Sequence, residues 1–241
     1  MIKKIESLQI IILSIILALG LIISTKIIIS ALPSEGISVT GSASKVVKSD
    51  NATLTFDIVA KRKTKKIAYE SIKQQIPVVK KYLLAKGFEE KDIEIRTTHG
   101  YETHRMLPNG NTTNEVEFYN LYQPVVVKSQ DVEKIKKLSV EITELMNQGV
   151  ELDVSSPEYY YSKISDLKIE LLKDATTDAK QRASAMLKST HNRTGKIQSV
   201  KMGVFQITSA DSTDVSDSGI YDTASVDKKV TAVANVVFKI K

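Results

Sequence analysis

The sequence contains no cysteine. It can therefore form no disulfide, offer no thiol nucleophile, build no thiolate metal site and carry no lipid on a thiol. Histidine is scarce, present only as His99, His104 and His191. On an extended strand, positions 99 and 104 point to opposite faces unless a bulge intervenes, so they are not expected to share a metal. His191 falls near the end of a long helical stretch, where a solvated or dipole-facing imidazole accounts for it. There is no Gly-x-Ser-x-Gly elbow and no Ser-x-x-Lys motif in a supporting context. Asp211, Asp214, Asp217, Asp222 and Asp227 crowd one late loop, but their spacing of three does not match the first acids of an EF-hand, which lie two apart. These absences predict a protein without catalytic residues, metal or cofactor, and so not an enzyme.

What is present begins with a long apolar run. Composition is ordinary for a globular chain of 241 residues, at 42% hydrophobic and 26% charged. Residues 8–29, "LQIIILSIILALGLIISTKIII", are long enough as a helix to cover a hydrocarbon layer of roughly 30 Å. Lys26 is the one charge inside and can snorkel from near the end. A signal peptide cleaved near Ala18-Leu19-Gly20 is the competing reading. The run continues through Ile27-Ile28-Ile29, which favours an uncleaved single-pass anchor over residues 1–30. Lys3 and Lys4 hold the N-terminus in the cytoplasm and send the rest to the periplasm or extracytoplasmic space. Without Lys3, Lys4, Lys26 and Glu6, the 34 basic and 28 acidic residues fall to 31 and 27, so the exported part carries about +4. Nucleic acid is a poor partner for such a domain; anionic lipid or envelope polymer fits better.

Residues 31–36, "ALPSEG", read as a short linker. Alternation of Leu54, Phe56, Ile58 and Ala60 with polar neighbours predicts strands over 37–47 and 51–61, joined as a hairpin around Lys48-Ser49-Asp50. The period then changes: Ile67, Ile72, Ile76, Val79 and Leu83 predict a helix over 65–86 that ends at Gly87, with a kink or break at Pro77. A second hairpin, 92–106 and 115–128, turns at Leu107-Pro108-Asn109-Gly110-Asn111. Ser129-Gln130-Asp131 opens another helix, with Val132, Ile135, Leu138, Ile142 and Leu145 or Met146 on one stripe, which stops at Gly149. A short strand near 150–163 precedes a long helix over 165–192, whose narrow face of Leu167, Leu171, Ala175, Ala179 and Ala183 suits close packing. Gly195 is expected as its C-cap, followed by strands at 196–208 and 229–240. The order predicts an α+β domain over 37–241, built as two βαββ-like units of about 37–149 and 150–241, with mainly antiparallel sheets.

Three stretches invite a ligand reading. Gly41-Ser42-Ala43-Ser44 has the small residues of a phosphate cradle, but it lacks both the Walker pattern and the three-glycine fingerprint, and it leads into more strand. Gly41 is better explained by close packing or a bulge. The run "KRKTKK", with Lys61, Arg62, Lys63, Lys65 and Lys66, could meet an anionic surface, or it could be a hydrated turn. Tyr159-Tyr160-Tyr161 is read as strand packing more readily than as a sugar or peptide platform.

Taken in order, the residues resemble the SIMPL-domain family of bacterial envelope proteins, which includes periplasmic immunogenic proteins. The resemblance rests on Ile37-Ser38-Val39-Thr40-Gly41, Ser49-Asp50, Lys86-Gly87-Phe88, Asp92-Ile93, Thr97-Thr98, Asn147-Gln148-Gly149-Val150, "LLKDATTDAKQRASAML" and Gly195-Lys196-Ile197. Ala43 stands where family members usually have a second glycine, and Ser49 where they have proline. The resemblance implies an exported α+β domain without catalytic residues, associated with envelope or oxidative stress and with homo-oligomers. Three functions stay open beside each other: self-assembly or protein contact at the envelope, sensing of anionic polymer or lipid through residues 61–66, and an enzyme of unknown type, which would need a polar cleft with convergent His, Ser or carboxylate groups.

Overall fold

The structure, a computed structural model, describes residues 14–27 and 36–241. Helix α1 covers 14–27, and each of its residues is exposed. Residues 8–13, 28 and 29 of the expected apolar span, and 31–35 of the linker, lie outside the described residues. Among the described residues no helix is long and apolar enough to cross a membrane.

The rest is α+β, as the pattern predicts. Strands β1 (Gly36–Lys48) and β2 (Asn51–Arg62) precede helix α2 (Lys65–Ala85). Strands β3 (Ile93–Ile95), β4 (His99–Met106) and β5 (Thr112–Ser129) lead to α3 (Val132–Glu141), which runs on as a 3-10 helix, Ile142–Gln148. Then come β6 (Leu152–Val154), β7 (Glu158–Tyr160) and α4 (Ile164–Lys188). Strands β8 (Thr194–Met202), β9 (Gln206–Ser209), β10 (Ile220–Tyr221) and β11 (Asp227–Ile240) complete the chain.

The strands form two sheets. One has the order β1-β11-β9-β10 with β8 also on β11; the other has β3-β5-β2-β6, with β4 on β5 and β7 on β2. The predicted first hairpin is therefore wrong, although both of its strands exist. At the bend, Ser49 N donates to Val226 O and Asp50 N to Tyr160 O, so successive amides bond different partners and the chain crosses from one sheet to the other. The Asp50 carboxylate fixes this corner by accepting from Ser162 N (2.7 Å), Ser162 Oγ (2.6 Å) and Asn51 Nδ2 (2.9 Å). Nor do the sheets follow the two predicted βαββ units, because β1 joins the late strands while β6 and β7 join β2. Pairing is antiparallel along β2–β5, β2–β6, β2–β7, β3–β5, β4–β5 and β9–β11, and parallel between β9 and β10.

By compactness the chain divides into one unit of residues 1–41, 176–201 and 234–241 and another of 42–175 and 202–233. The core of the second unit is set by period. Leu54, Phe56, Ile58 and Ala60 alternate along β2 and are wholly buried with Val125 and Val127 of β5. Against them pack Ala68, Ile72, Val79 and Leu83 of α2, Ile135 and Leu138 of α3, and Ile142 and Leu145. Each large side chain buried here contributes about 1.5–3 kcal/mol. Pro77 does not break α2; it lies on the exposed side of the helix, where the carbonyl it leaves unbonded can meet water.

Helix ends follow the sequence in two cases and depart from it in one. Gly87 and Gly149 take φ of 83° and 81°, and in each the next residue returns an amide to the helix: Phe88 N to Leu83 O, and Val150 N to Leu145 O. Helix α4 instead ends through His191, at φ 61°, with Asn192 N bonded to Leu187 O. Gly195 is thus not a C-cap. It lies in β8, where a Cβ would fall 2.7 Å from Lys239 O. Leu167, Leu171, Ala175, Ala179, Ala183 and Leu187 of α4 are all buried, as their spacing predicts.

Candidate functional site

The basic run is dispersed by the fold. Arg62 ends β2, donates 2.9 Å to Ser71 Oγ and pairs at 2.5 Å with Glu151. Gln75, buried in α2, completes the cluster by donating to Ser71 Oγ and accepting from Glu151 N at 2.8 Å. Arg62 is therefore a structural cation that ties β2 to α2 and to the segment after Gly149. Lys61 and Lys63 place their Nζ atoms 4.5 and 4.3 Å from the centre of the Phe118 ring. Lys65 and Lys66, in the first turn of α2, line an open space.

That space is a groove of about 560 Å³. Its existence follows from the width of the layers. Helix α2 packs over β2 and β5, whereas β4 lies beyond β5 at the rim of the sheet. One wall is Lys65, Lys66 and Tyr69; the other is the stretch 98–102 of β4 and its approach. Tyr119 and Leu121 of β5 form the floor, opposite Glu102 and Gly100 in the register. Gly100 is required there, because a Cβ would collide with the Asn120 carbonyl and the Leu121 side chain. Thr64 caps α2, its hydroxyl accepting from Ile67 N, and no acid stands in the first turn. The positive end of the helix therefore adds to the two lysines.

The other face of this sheet carries an aromatic ladder. The His99 and Tyr122 rings stack with centroids 5.7 Å apart, and Tyr101 stacks on Tyr122 at 5.9 Å. The two tyrosine hydroxyls lie 3.3 Å apart, and this hydrogen bond, burial and nearby carboxylates push the Tyr122 phenol up. Asp57 is directly opposite Asp153 across β2 and β6. Burial and the Asp153 charge raise the Asp57 carboxyl above its ordinary value, while His99 opposes them. Asp57 Oδ1 is buried without a hydrogen bond. Position 99 could be read from the sequence, but its meeting with Tyr122 depends on a strand register that no local pattern contains.

The remaining candidates resolve as packing or turns. Gly41 is buried within β1, and Ser42, Ala43 and Ser44 continue the same strand, so no helix N-terminus follows to receive a phosphate. Tyr159 is buried in the core, and Tyr160 donates to Glu158. A register shift follows Thr103, and His104 Nδ1 is buried without a partner. Among the described residues no three His, Asp or Glu converge as a metal site. In the late loop, Asp222 caps its own turn through Ala224 N and Ser225 N, and Asp214 accepts from Ser212. Lys228 is buried with its Nζ 2.6 Å from Asp222 O, and burial lowers its pKa.

No curated protein matches the chain. The family model SIMPL, described as a protein of unknown function (DUF541), matches residues 37–238. The match spans both sheets and α2 to α4, and the chain belongs to the SIMPL family.

Proposed function

We propose that this SIMPL protein is anchored in the bacterial cytoplasmic membrane by its N-terminal helix and acts outside the cytoplasm through self-assembly or contacts with other envelope proteins, not through catalysis. A role in envelope or oxidative stress is consistent with that place. The reading is carried by the arm that β4 and β5 form beyond the sheet. Strand β2 ends at Arg62, opposite Tyr119, so Thr112–Phe118 is paired with β4 alone. The arm projects by roughly 24 Å at 3.4 Å per residue. An isolated two-stranded ribbon is at best marginally stable in water. Its tip also exposes Met106 (67%) and Leu107 (43%), which would gain by burial against a partner.

The anchor is supported by α1, where Ser24 Oγ donates to Gly20 O and Thr25 Oγ1 to Leu21 O, so these hydroxyls are satisfied within the helix, as lipid surroundings require. The full chain should pellet with membranes after alkaline carbonate washing; release into the supernatant would remove the anchor.

Assembly is tested by sedimentation of the full chain in a non-ionic detergent. A discrete oligomer is expected, and Met106→Asp with Leu107→Asp should shift it toward monomer while circular dichroism stays unchanged. Monomer at every concentration would sink the assembly reading. An unchanged oligomer in the double variant would remove the arm from the contact.

A further inference from the structure

We infer that the groove between α2 and β4 is a docking site for an extended acidic peptide segment of a partner protein, which adds as a strand to the free edge of β4. Five consecutive residues, 98–102, line the groove. Alternate residues of a strand point to opposite faces and Gly100 carries no side chain, so a groove touching all five reaches the β4 backbone itself, beside the floor of Tyr119 and Leu121. Among the described residues β4 pairs with β5 alone, which leaves the outward amides and carbonyls of its other edge without a strand partner. Such an edge is a template for main-chain hydrogen bonding, and a helix alongside it supplies the side-chain contacts.

The charge of the helix wall selects the sequence of that strand. Lys65 and Lys66 stand at the positive end of α2, and among the described residues Lys65 has no ion-pair partner, while Lys66 reaches only Glu70 at 3.9 Å. Tyr69, 54% exposed, provides an apolar surface one turn further on. Glu102 also lines the groove. It would repel a polymer charged on every unit. An extended peptide with an acid at every second position spaces its acids about 7 Å apart along the groove, so one can stand beside the lysines without another set against Glu102. This inference goes beyond self-assembly, because binding is read on the full chain whatever its oligomeric mass.

The probe is a fluorescein-labelled peptide of five Glu-Thr repeats, titrated with the full chain in non-ionic detergent and followed by anisotropy. Saturable binding is expected. Lys65→Glu with Lys66→Glu should weaken it at least about tenfold, and Tyr69→Ala should weaken it less. Both changes are at exposed positions, and circular dichroism checks the fold. A Glu-Pro repeat of equal charge, which has no amides to donate from its prolines, should lose at least about tenfold. The inference is overturned if no Glu-Thr binding occurs up to about 1 mM, or if the lysine variant binds as well as the parent. It is also overturned if the Glu-Pro peptide, polygalacturonate or phosphatidylglycerol vesicles bind as tightly with the same dependence on Lys65 and Lys66.

Discussion

Phe56→Ala should cost about 3–5 kcal/mol of folding stability, read as a lower urea midpoint at an unchanged slope. Phe56 stands at the middle of β2, wholly buried, and is among the largest fully buried side chains. Val125 of β5 lies opposite it on one side and Val154 of β6 on the other. With strands on both sides and the helices over its face, the site cannot collapse readily, so most of the ring's volume would remain as a cavity. A loss below about 1 kcal/mol would mean that this core relaxes far more than its packing implies.

Asp50→Ala should cost about 1.5–3 kcal/mol near neutral pH and change how the protein responds to acid. Burial alone would raise the Asp50 carboxyl, but the Ser162 hydroxyl and amide and the Asn51 side chain outweigh it and hold the group below its ordinary value. Because the folded state lowers this pKa, the stabilisation is present above the unfolded value and is lost as pH falls through the folded one. Asp57 runs the opposite way, since its pKa is raised and protonation relieves it. The variant should therefore lose less stability than the parent between neutral pH and about pH 3. Equal acid losses in urea titrations of the two proteins would show that Asp50 does not carry this dependence.

What could be read from the sequence was local. The alternation in β2 and the stripe of Val132, Ile135, Leu138 and Ile142 gave their elements, because a period of two or 3.6 reports a buried face directly. Gly87 and Gly149 were legible as helix ends for a similar reason. The stripe of α2 was misplaced at two positions: Ile67, counted in it, is half exposed, while Gln75, left out of it as polar, is buried because it serves Ser71 and Glu151. The first hairpin failed because a two-residue bend between alternating strands looks the same whether its amides close a turn or reach Val226 and Tyr160. The groove was half visible. Lys65 and Lys66 were in the basic run and Tyr69 lies one turn further along α2, but Gly100 and Tyr119 reach the groove only through the pairing of β4 with β5, and nothing in the run distinguished those two lysines from Arg62.

The partnership of β1 with β11 governs when the fold can close. Thr40 and Asn235, which share a hydrogen bond at 2.5 Å, are separated by 195 residues. At about 5–20 residues per second, the ribosome takes roughly 10–40 s to make that stretch. Until then β1 has no strand to join, and a closure this distant in sequence is among the slowest kinds. That sheet therefore stays open until synthesis is nearly complete, whereas the sheet built on β2 and β5 has all of its strands once Tyr160 is made.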